Sequence, residues 1–180
     1  MSYSTTRTLA ECIDLALRDH GPRPFLREVD GREITYGQAR DQIDGLHDLF
    51  RSVGLRSGDK VAILGNNSIH WGLVYLATVT YGAVAVPILT NFTASAVHNI
   101  INMSEARVVF AQAALLEKLG AIAYPHPEKI FLLEDFRQID LHKVPKLLRK
   151  IQEQVERLME KATLVFSSRA RRERRHGATP

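Results

Sequence analysis

Between Lys60 and Asp135 short β-branched apolar runs alternate with stretches of helical periodicity, and this alternation constrains the fold more than any other feature of the chain. The runs are KVAIL (60–64), AVAVPI (83–88), RVVFA (107–111) and KIFLLED (129–135). Each is shorter than an ordinary helix and rich enough in branched residues to sit in a sheet. The stretches between them read as helices. One is opened by the caps Asn66-Asn67-Ser68 and carries Trp71 and Tyr75; the others are TASAVHNIINMSEA and AALLEKLGAIA. A strand that runs through a helix of about 10–15 residues into another strand implies a right-handed crossover and parallel pairing. The expected fold class is α/β, a mostly parallel sheet with helices on both faces. Within it, AVAVPI is expected to be a strand buried on both faces.

Upstream of the alternation the pattern changes. TLAECIDLALRDHG places Leu9, Ile13, Ala16 and Leu17 at helical spacing, with Thr8 as N-cap and Gly21 as stop. PFLREVDGREITY reads as two short strands turning at Asp30-Gly31, a hairpin signal. YGQARDQIDGLHDLFRSVG is an amphipathic helix with Ala39, Ile43, Leu46, Leu49 and Phe50 inward, ending at Gly54.

Charge matters here because of where it lies. The 180 residues carry a formal net charge of +4, and residues 169–176 alone hold five Arg against one Glu. The basic character therefore belongs to the RARRERR tail, and the preceding residues sum to zero. An apolar fraction of 45% with 24% charged residues is that of a soluble globular protein. The uncharged stretch from Gly65 to Val97 is long enough to cross a bilayer. Its polar start at Asn66, Asn67, Ser68 and His70, the Tyr81-Gly82 break and Pro87 favour a buried helix followed by a strand. The N-terminus lacks the basic-then-apolar layout of a secretory signal. Cys12, the single cysteine, cannot form an internal disulfide, and the expected setting is a reducing cytoplasm. The usual role of such a residue is a small buried hydrophobe; a nucleophile is the alternative. The seven histidines stand far apart with no metal-ligand spacing, so no metal site is expected. His70, inside an apolar helix, reads as a satisfied core histidine rather than a catalytic base.

Neither G-x-G-x-x-G nor G-x-x-x-x-G-K-[ST] occurs, so both common nucleotide fingerprints are missing. Another pattern is present. VGLRSGDKVAILGNNSIHWGLVYLATVTYGAVAVPI resembles the N-terminal segment of the AMP-forming acyl-CoA synthetases of the adenylate-forming ligase superfamily. SGDKVAI is similar to the family's Gly-Asp-x-Val-Ala strand and NNSIHW to its Asn-x-x-x-x-Trp helix start. YGAVAVPI resembles its Gly-Ala-x-x-x-Pro strand, and HNIINMSEARVVF its following helix and strand. The resemblance runs from Thr8 to Asp135, and FLRE and DGREITY lean toward the long-chain fatty acid branch. It implies the first α/β subdomain of such a ligase. Read physically, the matched residues are caps, turns and core: none is a nucleophile, a general base or a metal ligand.

The resemblance also gives meaning to ATLVFSS (162–168). In the family an apolar strand of this type leads into Ser/Thr-Ser-Gly-Thr-Thr/Ser-Gly-x-Pro-Lys-Gly. Glycine amides, hydroxyls and the lysine of that loop hold the ATP phosphates. Ser167 and Ser168 correspond to its first two residues and are the candidate cofactor-binding residues; Arg169 then stands where glycine belongs. The expectation is an N-terminal ligase fragment cut at the phosphate loop, inactive alone, with no catalytic residue. No cofactor is expected for this chain, whereas ATP, Mg and coenzyme A are implied for the intact family.

Residues 141–168 carry Leu141, Val144, Leu148, Ile151, Val155, Leu158, Ala162 and Val165 at spacings of three and four. They read as an amphipathic helix and a terminal strand, placed between an α/β subdomain (1–140) and an Arg-rich tail (169–180) expected to lack order. The helix at 145–161 either packs on its own sheet or, in a second reading, engages a partner. That second reading is an interaction or regulatory module that self-associates, binds a partner protein or makes peripheral membrane contact through this helix and the basic tail. Specific nucleic-acid binding is not expected, because no aromatic residue follows Phe166 to stack on bases.

Overall fold

A computed structural model describes residues 8–29, 31–120, 127 and 129–139, all within the compact unit Met1–Leu141. Residues 141–180, with the expected helix at 145–161, Ser167, Ser168 and the tail, lie outside the described residues, as does Asp30 of the hairpin turn.

The chain is α/β. It opens with α1 (Leu9–Asp19), the hairpin β1 (Pro24–Arg27) and β2 (Glu33–Thr35), and α2 (Tyr36–Ser52). There follow β3 (Lys60–Leu64), α3 (Ile69–Thr80), β4 (Val84–Ile88), α4 (Ala94–Ser104) and β5 (Val108–Ala111). A 3-10 helix (Ala113–Leu119), β6 (Lys129–Leu132) and β7 (Gln138–Ile139) complete the described elements. Each α-helix starts at a hydroxyl: Thr8, Thr35, Ser68 and Thr93 accept the amides of Glu11, Gln38, Trp71 and Ala96. Glu11 and Gln38 reciprocate to make full capping boxes.

The sheet order is β4-β3-β5-β6-β7, parallel except for the antiparallel β7. Strand alternation sorts its side chains. Val61, Ile63, Val108, Phe110 and Phe131 pack with Leu17, Ile43, Leu46, Phe50, Leu73 and Ala77 of α1, α2 and α3. Phe110 centres this core, stacked on Phe131 at 5.2 Å and edge-on to Phe50 at 6.1 Å. Ala62, Leu64, Val109, Ala111 and Ile130 point the other way and are buried, as are Val97 and Ile101 of α4 and Leu116 and Leu119 of the 3-10 helix. Helices thus cover both faces. Among the described residues no helix is long and apolar enough to cross a membrane.

Three expectations about the elements are corrected by the fold. Among the described strands AVAVPI lies at the sheet edge: Val84 is 48% exposed and Pro87 is exposed, because the chain crosses over β3 after β4 and β5, β6 and β7 follow on the far side. The Val84 amide donates to Asp59 O of the β3 side, so residues 84, 86 and 88 face β3, and Ala85 and Pro87 face outward. Proline there removes the outward donor and blunts the edge. AALLEKL is 3-10 rather than α-helical; Leu116 and Leu119 eclipse at the three-residue spacing and are the buried pair. Leu9, grouped by helical spacing with Ile13, Ala16 and Leu17, is 55% exposed at the first turn of α1 and does not share the burial of Leu17. The antiparallel β7 was not foreseen.

Candidate functional site

β3 is the pivot of the sheet. α3 carries the chain to β4 on one side of it and α4 carries it back to β5 on the other, so a crevice opens between the carboxyl ends of β3 and β5. Such a switch point is where open α/β sheets hold ligands. Here the protein's own polar groups line it. The Asn66 amide donates to Gln112 Oε1 at 3.1 Å, joining the loops after β3 and β5. Thr90 Oγ1, after β4, donates to Asn66 Oδ1 at 3.3 Å, and the Ala113 amide donates to Glu134 Oε1, after β6, at 2.9 Å. Lys118 Nζ donates to Thr90 O and Phe92 O, both at 2.7 Å, and fixes the loop after β4.

The first turn of α3 forms the floor, and there the hairpin closes over it. Ser68 is spent as N-cap on the Trp71 amide at 3.1 Å. The Ile69 amide, the donor that would meet an incoming anion, instead reaches Glu28 Oε1 at 3.1 Å. Arg32 donates to the same oxygen at 2.5 Å. The Arg32 hydrogen bond, then the Ile69 amide, hold the Glu28 carboxyl below its usual range. The crevice has two lobes sharing Glu28, Asn67 and Ser68. One, of about 470 Å³, runs along Leu26, Arg27 and Val29; the other, of about 250 Å³, reaches His70, Gln112, Leu133 and Glu134.

His70 is half-buried on the second lobe, its ring edge-on to Phe136 at 5.3 Å, so it borders a cleft and is not enclosed in the core. Burial first, and the nearby Arg32 second, lower its pKa below the ordinary 6.5. These surroundings favour the neutral ring. His47 on α2 is also half-buried but has its polar partners, its Nε2 lying 3.0 Å from Ala77 O and from Thr80 Oγ1. Cys12, expected to be buried, is exposed on α1. Ser167 and Ser168 lie outside the described residues. Among those described, no group of three or more His, Cys, Asp or Glu is placed to hold a metal ion. Sequence reasoning missed Glu28, Arg32 and Glu134. Only Gln112 had a signal, as the polar residue directly after a buried strand.

Taken chemically, the crevice can orient loops and keep one carboxylate ionised. Among the described residues it has no nucleophile paired with a base, and its helix amide already holds an anion. Residues 14–171 match the sequence profile of the family described as AMP-binding enzyme. The medium-chain acyl-CoA ligase ACSF2 of Rattus norvegicus mitochondria is 27% identical over 101 residues, 56% of this chain and 16% of that protein. A 3-[(3aS,4S,7aS)-7a-methyl-1,5-dioxo-octahydro-1H-inden-4-yl]propanoyl:CoA ligase of Mycobacterium tuberculosis is 31% identical over 110 residues, 61% of this chain and 22% of that protein. The chain therefore spans less than a quarter of these relatives. The fold agrees with that of the anthranilate CoA ligase AuaEII in complex with anthranoyl-AMP. The TM-score is 0.66 at 22% identity, over 75% of this chain and 26% of that one.

Proposed function

The chain belongs to the AMP-binding enzyme family, and from that premise we propose that it is the N-terminal scaffold portion of an AMP-forming acyl-CoA ligase of the long-chain fatty acid type, without adenylating activity of its own. One observation carries this reading: ATLVFSS is followed by RARRERR, beginning at Arg169, where the family pattern has a glycine-rich loop and its lysine. Adenylation concentrates charge on phosphate oxygens, and preorganised amides and cations are what stabilise it. The described residues do not replace them. The α3 N-terminus is closed by Glu28, so a triphosphate approaching the crevice meets a carboxylate. ATP, Mg and coenzyme A are cofactors of the intact ligase in this reading, and no step is assigned to them on this chain. The long-chain preference rests on FLRE and DGREITY in the hairpin.

Calorimetry with ATP, GTP and inorganic triphosphate at low and physiological salt tests it. Two serine hydroxyls contribute about 1 kcal/mol each in net terms, and clustered arginines attract phosphate only as a salt-screened cloud. All three ligands should bind no better than roughly millimolar, equally, and fade with salt. Tight, adenine-selective, salt-resistant binding overturns the inactive-scaffold reading.

A further inference from the structure

We propose that His70 is a pH-sensitive latch on the turn between β6 and β7: its neutral ring holds Phe136 against the sheet, and protonation of the ring releases the turn. Phe136 has φ 57°, a left-handed conformation that a bulky side chain adopts only when its surroundings hold it there. Those surroundings are specific. His70 meets its ring edge-on at 5.3 Å from α3, and Phe110 meets it at 6.1 Å from the sheet. The Phe136 amide donates to Leu132 O at 3.1 Å. At the start of the turn, Leu133 is 2% exposed and lies over Gly65, where a Cβ would stand 2.5 Å from Leu133 Cδ2. The turn is therefore pinned by two apolar anchors, and His70 supports one of them.

The groups facing the imidazole set the direction. Glu28 and Arg32 approach from the hairpin, Glu134 and Asp135 from the turn itself; α3 contributes no charged residue. Arg32 pairs with Glu28, and Asp135 with Arg137. Burial and Arg32 disfavour the cation more than the three carboxylates favour it. An opened turn wets the ring and restores its ordinary proton affinity. Acid then populates the open state, because protons bind it better than the closed one. Opening widens the smaller lobe of the crevice, whose wall includes Leu133 and Glu134.

The test is amide exchange of Leu133–Arg137 in the full chain from pH 7.5 to 5.5, corrected for intrinsic exchange and referenced to β5, alongside NMR titration of the His70 ring. These pH values lie above the ordinary Glu value of 4.5. Protection of the turn should fall several-fold relative to β5, with a midpoint that coincides with that of His70. His70→Phe, which keeps an aromatic ring but cannot titrate, should keep the turn protected throughout. Constant protection in the wild-type chain, or a midpoint well away from that of His70, overturns the latch without recourse to the variant. An equal loss in a folded His70→Phe chain overturns it as well.

Discussion

At the scale of single residues, conformation and charge each decide one position. Gly82 has φ +81° between α3 and β4, and its carbonyl accepts from the Gly58 amide at 2.8 Å and from Ser57 Oγ at 3.1 Å. A Cβ there would stand 3.0 Å from Ser57 Oγ, which can rotate aside, so backbone strain dominates. Gly82→Val should cost roughly 1–3 kcal/mol, read as a lower melting temperature; an unchanged melt would mean the left-handed turn is not needed. Glu28 ties the hairpin to α3 through an ionised carboxylate, with its pKa lowered from 4.5. A lowered carboxyl stabilises the fold above its ordinary value, and that stability disappears as pH falls through the lowered one. Glu28→Gln should therefore melt lower at pH 7 and lose less on acidification below 4.5 than the parent. Equal slopes for the two chains would show that the carboxylate contributes nothing.

Elements raise a different question, namely what stops an apolar strand at the sheet edge from recruiting another. β4 carries Val84, Ala85 and Val86, and Leu89 just beyond it is 61% exposed. Its outward backbone offers the Ala85 amide and no donor at Pro87. Pro87→Val supplies that donor and adds β propensity, so the edge becomes a template for pairing. Sedimentation velocity should show the variant associating at concentrations where the parent is unchanged; identical profiles would count against Pro87 as the guard. The hairpin is a contrasting case. Two short strands hold no independent stability, and β1–β2 persists because Phe25, Leu26 and Ile34 pack on the main core and Phe25 meets Tyr36 at 4.3 Å.

At the scale of the molecule, the buried side chains of the described residues are concentrated before residue 134. The described core runs from Leu17 to Leu133, and the aromatic centre is Phe50, Phe110 and Phe131. Removing residues 169–180 should therefore leave the cooperative melt in place, whereas Phe110→Ala should cost about 3–5 kcal/mol by emptying the middle of the sheet. Loss of cooperative unfolding in the shortened chain would show that the core extends further than the described residues indicate.

What the sequence by itself determined was everything governed by neighbours in the chain. Thr8, Thr35, Ser68 and Thr93 cap helices because each hydroxyl needs only the amide three residues on. β3, β5 and β6 form where branched runs stood, and the strand–helix alternation already required parallel pairing. Most of the crevice was not legible. The Asn66–Gln112, Ile69–Glu28 and Ala113–Glu134 hydrogen bonds join residues 46, 41 and 21 apart. No local pattern encodes such pairings; strand order alone brings the residues together. The same order made β4 an edge, although its composition reads as buried. It also placed Phe136, four residues beyond a strand, against a histidine of α3. Only the tertiary structure could decide these, because burial and the partner of a polar group depend on which strand lies beside which.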